Sequence, residues 1–184
     1  MRLSVVIPTF NRAALLERAL GRLVASCESS SRPCELIVVD NNSTDDTAAV
    51  ARRFGDRVRY VFEPRQGLSS ARNAGIAAAS IDRPEERAIA FTDDDVEVAP
   101  DWIAALTREF EENPSVLCVG GRVLPKWSEP PPPWISRDHW APLGLQDHGE
   151  GRQAFNRERP RCLIGANVAF SGFVRERCAW LPRR

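Results

Sequence analysis

The sequence is poor in residues that many catalytic mechanisms require. Lysine occurs once, at Lys126, among 25 basic residues, and histidine occurs only at His139 and His148. Mechanisms that need a second lysine are therefore excluded. Neither histidine has an acidic partner at the spacing of a catalytic triad, so we assign neither as a catalytic base.

Cysteine is too scattered to suggest a covalent or metal framework. The five cysteines include no C-x-x-C pair, and this pattern predicts neither a disulfide framework nor a zinc site. We expect small buried thiols instead. The cysteines stand at positions 27, 34, 118, 162 and 178.

Long apolar runs and an excess of one charge are also missing. No segment approaches the roughly 20 apolar residues that cross a bilayer, and the apolar run Leu3–Ile7 is too short for a signal-peptide core. Basic and acidic residues balance at 25 each, which gives nucleic-acid binding no electrostatic support. We therefore expect a cytoplasmic protein that does not bind nucleic acid. The arginine-rich residues 151–184 can contact anionic lipid at the inner membrane surface.

What the chain does contain is a regular alternation of strand and helix patterns. Its 184 residues, 43% of them apolar, suit one domain with a substantial core. Continuous β-branched runs predict buried parallel strands, and apolar residues at helical spacing predict the helices between them. The predicted strands are Leu3–Ile7, Leu36–Val39, Val58–Phe62 and Ala88–Thr92; the predicted helices are Arg12–Ala25, a segment ending at Phe54, Leu68–Ala79 and Pro100–Glu112. This order predicts an α/β fold, a mainly parallel sheet flanked by helices on both faces.

Helix starts are predicted from capping residues. Thr9 or Asn11 is the candidate cap of the first helix, and Ser43 or Thr44 that of the second. Pro100 suits the first turn of the fourth helix.

The pattern changes after residue 124. Residues 125–160 are rich in proline and tryptophan and lack periodicity, which indicates a loop or lid: either a rigid surface connection or a wall over a ligand cleft. Residues 161–184 begin with Cys162–Phe170, predicted to form one strand or a strand pair broken at Gly165. We therefore divide the chain into residues 1–124, 125–160 and 161–184.

Polar residues follow three of the predicted strands. In open parallel sheets ligands bind beyond the carboxyl ends of the strands, so these residues are candidates for one cleft. They are Thr9 and Asn11 after the first strand, Asp40–Ser43 after the second, and Asp93, Asp94 and Asp95 after the fourth.

The three consecutive aspartates need either a cation or full exposure. Adjacent carboxylates repel one another, and burying a charge unpaired costs on the order of several kcal/mol. Their hard oxygen ligands favour Mg²⁺ or Mn²⁺ over zinc. The alternative is a solvated acidic turn that caps the helix at Pro100.

The segment Gln66–Gly75 supplies a basic counterpart. It opens the third helix after Gly67, which allows close backbone approach, and a phosphate group can bind near such a helix start. Arg72 is a candidate for a planar contact with a base or a diphosphate; alternatively, it pairs with surface carboxylates.

Five motifs follow one another in order along nearly the whole chain. They are Val5–Arg12 (VVIPTFNR), Val38–Asp45 (VVDNNSTD), Gly67–Gly75, Phe91–Asp95 (FTDDD) and Gly165–Phe170 (GANVAF). A D-x-D alone is a weak signal, but this set in this order resembles glycosyltransferase family 2. The resemblance implies a Rossmann-like GT-A fold and a UDP- or GDP-linked sugar donor. It also implies a divalent metal, Mn²⁺ or Mg²⁺, and inverting transfer of the sugar to a glycan or lipid acceptor.

The resemblance also implies roles for individual residues. The donor nucleotide is assigned to Thr9, Asn11, Asp40, Arg72 and Asp93. The metal is assigned to Asp93 and Asp95, with Asp94 as a further candidate, and the sugar and acceptor side to Gly165 and Asn167.

One expected element is missing from the sequence. The family places its catalytic base in an acidic pair some tens of residues after the G-A-N segment, whereas Glu176 is the only carboxylate after Phe170. We therefore expect a C-terminally truncated chain, or one with an altered tail, whose catalytic base is absent. Two other readings stay open: a non-catalytic nucleotide-sugar binding module, and a haloacid-dehalogenase-type phosphatase, because that class also carries two aspartates after an apolar strand.

Overall fold

A computed structural model describes residues 1–79, 87–155, 162–172 and 174. The expectations that concern Glu176 and Cys178 lie outside these residues. The strands are β1 (Arg2–Thr9), β2 (Cys34–Asp40), β3 (Val58–Phe62), β4 (Arg87–Phe91), β5 (Cys118–Gly120) and β6 (Val168–Ser171). The α-helices are α1 (Ala13–Ser29), α2 (Thr47–Arg53), α3 (Leu68–Ala78) and α4 (Trp102–Glu112).

The six strands form one mixed sheet in the order β3-β2-β1-β4-β6-β5. The pairs β1–β2, β1–β4 and β2–β3 are parallel, and β6 runs antiparallel to both β4 and β5. The predicted α/β fold with a mainly parallel sheet is therefore confirmed. The long segment Cys162–Phe170 contributes only β6, because the chain turns at Gly165 before the strand begins.

The core lies on both faces of the sheet, as the continuous apolar strands predict. Along β1, Leu3, Val5 and Ile7 pack on the face that also buries residues of α1, α2 and α4. Val6 points to the opposite face, where it packs with residues of α3. Alternate β1 side chains thus serve two separate cores, which explains why this strand has no polar face.

Helix α3 lies very close to the sheet at Gly75. A Cβ atom added to Gly75 would lie 2.2 Å from Cγ1 of Val6 and 3.2 Å from Cγ2 of Val39. Only a residue without a side chain permits this approach, which fixes the position of the helix whose start borders the cleft described below.

The predicted helix caps are wrong. Helix α1 follows Arg12, α2 follows Asp46, and in none of the four α-helices does the N-cap side chain bond to its own helix. The amides of Ala13 and Thr47, which begin α1 and α2, donate instead to the Asp45 carboxylate, at 3.0 Å each. Thr9 is the last residue of β1, and the Asn11 side chain accepts a hydrogen bond from the Thr44 amide at 2.7 Å. Asn11 therefore joins the turns after β1 and β2 instead of capping a helix. Pro100 precedes α4, which begins at Trp102.

The expectation of buried thiols is wrong for three cysteines. Cys27 and Cys34, with Cα atoms 6.0 Å apart, form a disulfide between the end of α1 and the start of β2. Cys162 is exposed, and Cys118 is half-buried. The seven-residue separation of the disulfide pair carries no recognisable sequence signature.

Within the proline- and tryptophan-rich region, the structure describes residues 125–155, which form neither an α-helix nor a strand of the sheet. It contains two short 3-10 turns, Arg137–His139 and Ala141–Leu143. Two reciprocal backbone hydrogen bonds of 2.7 and 2.8 Å join Val123 to Gln146 and so bring together the two ends of residues 124–145. In the part of the chain that the structure covers, no helix is both long and apolar enough to cross a membrane.

Candidate functional site

A cleft of about 420 Å³ opens where β1, β2 and β4 end. We call it the aspartate cleft because Asp93, Asp94 and Asp95 form one of its walls. Its other lining residues are Pro8, Thr9, Phe10, Arg12, Asn41, Gln66, Gly67, Leu68 and Ala71. The cleft thus lies at the carboxyl edge of the sheet, where the sequence predicts it.

Strand register explains why the polar residues meet. Thr9 lies opposite Asp40 in the β1–β2 pair, and Val6 lies opposite Phe91 in the β1–β4 pair. Thr9 is three residues beyond Val6, and Asp94 is three residues beyond Phe91, so the two reach the same level of the edge. Thr9 and the three aspartates are therefore brought together.

The three aspartates differ in exposure and in partners. The Asp94 side chain is 5% exposed, whereas those of Asp93 and Asp95 are 36% and 47% exposed. Nη1 of Arg12 lies 3.1 Å from Asp94 Oδ1 and 3.0 Å from Asp95 Oδ2. The fully solvated acidic turn does not fit this geometry, because one of its three carboxylates is buried.

We call Asp93–Asp95 the acidic turn. Burial has the largest effect on the pKa values of Asp93 and Asp94 in this turn. It raises the pKa of Asp93, against the lowering effect of the Arg72 charge. It also raises the pKa of Asp94, against the lowering effect of the hydrogen bond from Arg12 and of its charge. In turn, the hydrogen bond with Asp94 and its charge raise the pKa of Arg12. The turn therefore holds negative charge in surroundings that favour its neutralisation by a cation.

Arg72 is held beside the acidic turn by packing. Its Nη2 lies 3.6 Å from Asp93 Oδ1, and its guanidinium carbon lies 5.6 Å from the centre of the Phe91 ring. A Cβ atom on Gly165 would lie 2.2 Å from Nη2 of Arg72. Its Nε is buried and has no acceptor among the described residues. Arg72 thus pairs with the acidic turn, and Gly165 provides the space for its guanidinium group.

Asp40 is buried behind the cleft and does not line it. Its Oδ1 accepts a hydrogen bond from the Ser43 amide at 2.8 Å, and its Oδ2 accepts one from the Tyr60 hydroxyl at 2.7 Å. Burial and the hydrogen bond to Asp40 raise the pKa of Tyr60 to about 12. The carboxylate is therefore an anchor of the turn after β2.

Asn41 belongs to the predicted candidate segment Asp40–Ser43, although no role was assigned to it, and it lines the cleft in place of Asp40. Its Nδ2 donates to the carbonyls of Glu63 and Arg65 at 3.1 and 2.7 Å, and its Oδ1 accepts from the Gly67 amide at 2.7 Å. These bonds fix the loop that carries Gln66 and Gly67 into the cleft wall. Its place after a buried strand made Asn41 a candidate, but the sequence does not show that its side chain faces the cleft and that of Asp40 does not.

Two apolar side chains at the cleft were also missed. Phe10 and Leu68 line it and are 45% and 52% exposed. An exposed aromatic ring beside polar groups provides a surface on which a flat ligand can stack. The sequence signal was an aromatic residue between two polar ones, immediately after the first strand.

Asn11 and Asn167 do not line the aspartate cleft. Asn167 Oδ1 accepts a hydrogen bond from the Trp102 indole at 2.9 Å, and its Nδ2 donates to the Arg122 carbonyl at 2.9 Å. It lines a second cavity of about 980 Å³, beside α4 and β5. Arg72 and Gly165, which are in contact, do not line the aspartate cleft either; Arg72 reaches its wall through Asp93.

The donor set of the acidic turn fits a hard divalent cation. Within the described ranges, no three His, Cys, Asp or Glu side chains are arranged to hold a metal by themselves, so a cation here needs additional ligands such as phosphate oxygens. The Arg12 guanidinium already stands between two of the carboxylates. Its position shows that these oxygens accept a positive charge from the cleft side.

Comparison with known proteins connects this geometry with one family. Residues 4–172 match the family model described as "Glycosyl transferase family 2". A glucosyl-dolichyl phosphate glucuronosyltransferase of Haloferax volcanii is 28% identical over 92% of this chain and 52% of its own length. A validoxylamine A glucosyltransferase of Streptomyces hygroscopicus subsp. jinggangensis is 43% identical over 56% of this chain and 24% of its own. The chain therefore spans about half, or less, of the length of these relatives.

A solved structure shows the same fold. A mannosyltransferase from Pyrobaculum calidifontis, in complex with GDP-Man and Mn²⁺, superposes on 98% of this chain and 47% of its own with a TM-score of 0.69. The sequence identity is 24%. The likeness therefore concerns the arrangement of strands and helices.

Proposed function

Because this chain belongs to glycosyltransferase family 2 and has the GT-A fold, we propose that its aspartate cleft binds a nucleoside diphosphate-sugar. In the whole protein the sugar is then transferred, with inversion, to a glycan or lipid acceptor. The observation that supports this most strongly is the convergence of Thr9 with the three aspartates at one edge of the sheet. Family membership leaves the phosphatase alternative without support.

In this proposal the nucleotide lies between the end of β1 and the start of α3. Phe10 and Leu68 offer exposed apolar surface for the base, and a UDP- or GDP-linked donor suits a site of this kind. Arg72, whose buried Nε has no acceptor among the described residues, is the group that contacts the base or the diphosphate. Thr9 borders the same space, whereas Asp40 and Asn11 act by fixing the turn after β2.

We assign the metal, Mn²⁺ or Mg²⁺, to Asp93 and Asp95. These two carboxylates are partly exposed, whereas Asp94 is buried and paired with Arg12. A bound divalent cation supplies stabilisation of the charge that develops on the departing diphosphate. Arg72, close to Asp93, adds positive charge to the same region. Asp94 then positions Arg12 and the turn.

The acceptor side is proposed for the whole protein. The Haloferax volcanii relative is named for a dolichyl phosphate substrate, which supports a lipid-linked acceptor here. Gly165 and Asn167 are the residues assigned to this side; Gly165 acts through Arg72 in the present geometry. The alternative, a module that binds the donor without transferring sugar, would use the same cleft. Only the measurement of sugar transfer would distinguish it from a transferase.

Calorimetric titration of the protein with UDP and with GDP tests the proposal. We expect binding of one of these nucleotides to strengthen when Mn²⁺ is added, and D95N to remove this strengthening. D101N is the matched control, because Asp101 is an exposed aspartate of a nearby turn whose side chain makes no capping bond. The proposed site would be contradicted if the nucleotide affinity changed neither on addition of Mn²⁺ nor in D95N.

A further inference from the structure

Arg12 is the only side chain that, in the described residues, bridges two carboxylates of the acidic turn. Its Nη1 is 3.1 Å from Asp94 Oδ1 and 3.0 Å from Asp95 Oδ2. The side chain is half-exposed and immediately precedes α1. Arg12 thus occupies the cleft side of the carboxylate that we assign to the metal.

The charges around the turn are close to balance. Asp93, Asp94 and Asp95 carry three negative charges, and Arg12 and Arg72 lie within 4.0 Å of them. A divalent ion alone would reverse the sign of this group and would meet the Arg12 charge at close range. A metal ion together with the diphosphate of a nucleoside diphosphate-sugar, in which each of the two phosphates carries one negative charge, leaves the balance unchanged. The net charge of the site is therefore better suited to a metal ion and a diphosphate together than to a metal ion alone.

We propose that Arg12 is a positioning residue that holds Asp95 while the metal is absent and releases it when metal and diphosphate enter together. This inference rests on the proposed function. Its contact with the buried Asp94 keeps Arg12 at the cleft, whereas its contact with the exposed Asp95 is the one that is exchanged. The released guanidinium nitrogen then faces the diphosphate. Arg12 thereby weakens binding of free metal and strengthens the coupling between metal and nucleotide.

The test measures Mn²⁺ binding to the purified chain by electron paramagnetic resonance of the free ion, without nucleotide. We expect R12Q to bind Mn²⁺ roughly fivefold more tightly than the unmodified protein, the effect of removing one half-exposed ion pair. We also expect added UDP or GDP to strengthen Mn²⁺ binding less in R12Q than in the unmodified protein. R12K retains the charge and should keep most of the weak binding of free Mn²⁺.

R22Q is the matched control. Arg22 lies on α1 and pairs with Glu97 at 3.5 Å, outside the acidic turn, so its replacement should leave Mn²⁺ affinity unchanged. Circular dichroism establishes that each variant is folded. A tighter Mn²⁺ affinity is an effect that loss of structure would not produce.

The outcomes separate this inference from the proposed function. If R12Q binds free Mn²⁺ as weakly as the unmodified protein, or more weakly, while nucleotide binding still depends on Mn²⁺, the role of Arg12 is refuted and the proposed function stands. If neither protein binds Mn²⁺ with or without nucleotide, both proposals are refuted. If R12Q does not fold, R12K decides: tighter binding of free Mn²⁺ than in the unmodified protein would contradict a role that depends on charge.

Discussion

Gly165 and Arg72 are far apart in sequence, yet they are in contact, and the lack of a side chain at position 165 leaves room for the Arg72 guanidinium group. The space that a side chain at position 165 would fill is taken by the Arg72 guanidinium, 2.2 Å from the position of the added Cβ. The guanidinium is the far end of a flexible side chain, so a larger residue at 165 would displace it without breaking the backbone. The contact therefore couples the start of α3 to the turn before β6.

We accordingly expect G165A to weaken nucleotide binding about tenfold, the loss of one charge-assisted hydrogen bond, with little change in the free energy of unfolding. Calorimetry with UDP or GDP and Mn²⁺ measures the first quantity, and urea denaturation the second. G21A is the control: Gly21 lies in α1 with no atom close to an added Cβ, so alanine there should stabilise the helix by about 1 kcal/mol. Unchanged affinity in G165A would argue against Arg72 as a nucleotide contact.

Tyr60 offers a direct readout of the anchor behind the cleft, because it is the chain's single tyrosine. Its pKa is about 12, raised first by burial and then by its hydrogen bond to Asp40. Because folding raises this pKa above the ordinary tyrosine value of about 10, the stability that Tyr60 contributes is fully present below about pH 10 and is lost progressively as the pH rises to about 12. At about pH 11 the folded protein should keep Tyr60 mostly protonated, whereas the unfolded chain should be mostly ionised.

Ultraviolet absorbance of tyrosinate measures this difference, with the denaturant-unfolded chain as reference. D40N should lower the pKa of Tyr60 only in part, because burial is the larger cause and remains. An ordinary tyrosine pKa in the folded protein would mean that Tyr60 is neither buried nor hydrogen-bonded to Asp40. In that case the turn after β2 would need another anchor.

At the level of single residues, the sequence was informative about which side chains gather and less so about which of them face the ligand. Thr9 and the aspartates were found because parallel strands end at one edge. Asp40 follows the same rule, but its side chain points behind the cleft to Tyr60, and Asn41 faces it instead. This orientation depends on local turn geometry, which no residue pattern in the chain specifies.

Asn167 links three elements through its side chain. It precedes β6, accepts from Trp102 at the start of α4, and donates to the Arg122 carbonyl just after β5. Gly121 lies so close that a Cβ there would be 2.5 Å from Asn167 Nδ2. The Asn167 side chain therefore holds together the start of β6, the start of α4 and the segment after β5.

We expect N167A to lower the free energy of unfolding by about 2 kcal/mol, since it leaves the Trp102 indole and the Arg122 carbonyl without partners, and to leave nucleotide affinity unchanged. Urea denaturation and calorimetry measure these two effects. N113A is the control, because Asn113 bonds only to Glu109 of its own helix end and should cost less. A stable N167A protein that has lost sugar transfer would instead favour a direct role at the acceptor.

The elements themselves were largely predictable, whereas their beginnings were not. Val58–Phe62 agrees with the prediction at both ends, and α3 differs by one residue, because buried apolar periodicity dominates there. The predicted helix starts are wrong because Asn11 and Ser43 make bonds across neighbouring turns, and because Thr9 still belongs to β1. Such residues satisfy distant backbone groups, which a local capping rule does not foresee.

For the whole molecule, the sheet order makes the last described strand indispensable. Strand β6 stands between β4 and β5, so residues 162–172 complete a sheet that the first 124 residues begin. The boundaries predicted at residues 124 and 160 remain predictions about segments. In three dimensions, however, the first and third segments share one sheet.

A chain that ends at Leu124 should consequently fail to fold cooperatively. It would leave one edge of β4 open and β5 without its neighbour β6. Circular dichroism and urea denaturation measure the loss, and a chain that ends at Val174 is the control that keeps β6. A cooperative transition in the shorter chain, similar to that of the control, would show that the first five strands suffice.

The architecture was predictable at this scale because five motifs in a fixed order constrain it far more than any one does. The resemblance located a GT-A fold, which the comparisons bear out. The antiparallel insertion of β6 was not foreseen, because pairing between distant strands depends on register and not on local composition. The disulfide was missed for a related reason, since it depends on where α1 ends.

The pairing of Val123 with Gln146 has a consequence for how such a protein can diversify. Two reciprocal backbone bonds bring the ends of residues 124–145 side by side, so the excursion between them begins and finishes at one point of the scaffold. A segment of another length or composition can be exchanged there while the strands keep their partners. Residues 124–145 thus form a surface segment that can be replaced without changing the pairing of the strands.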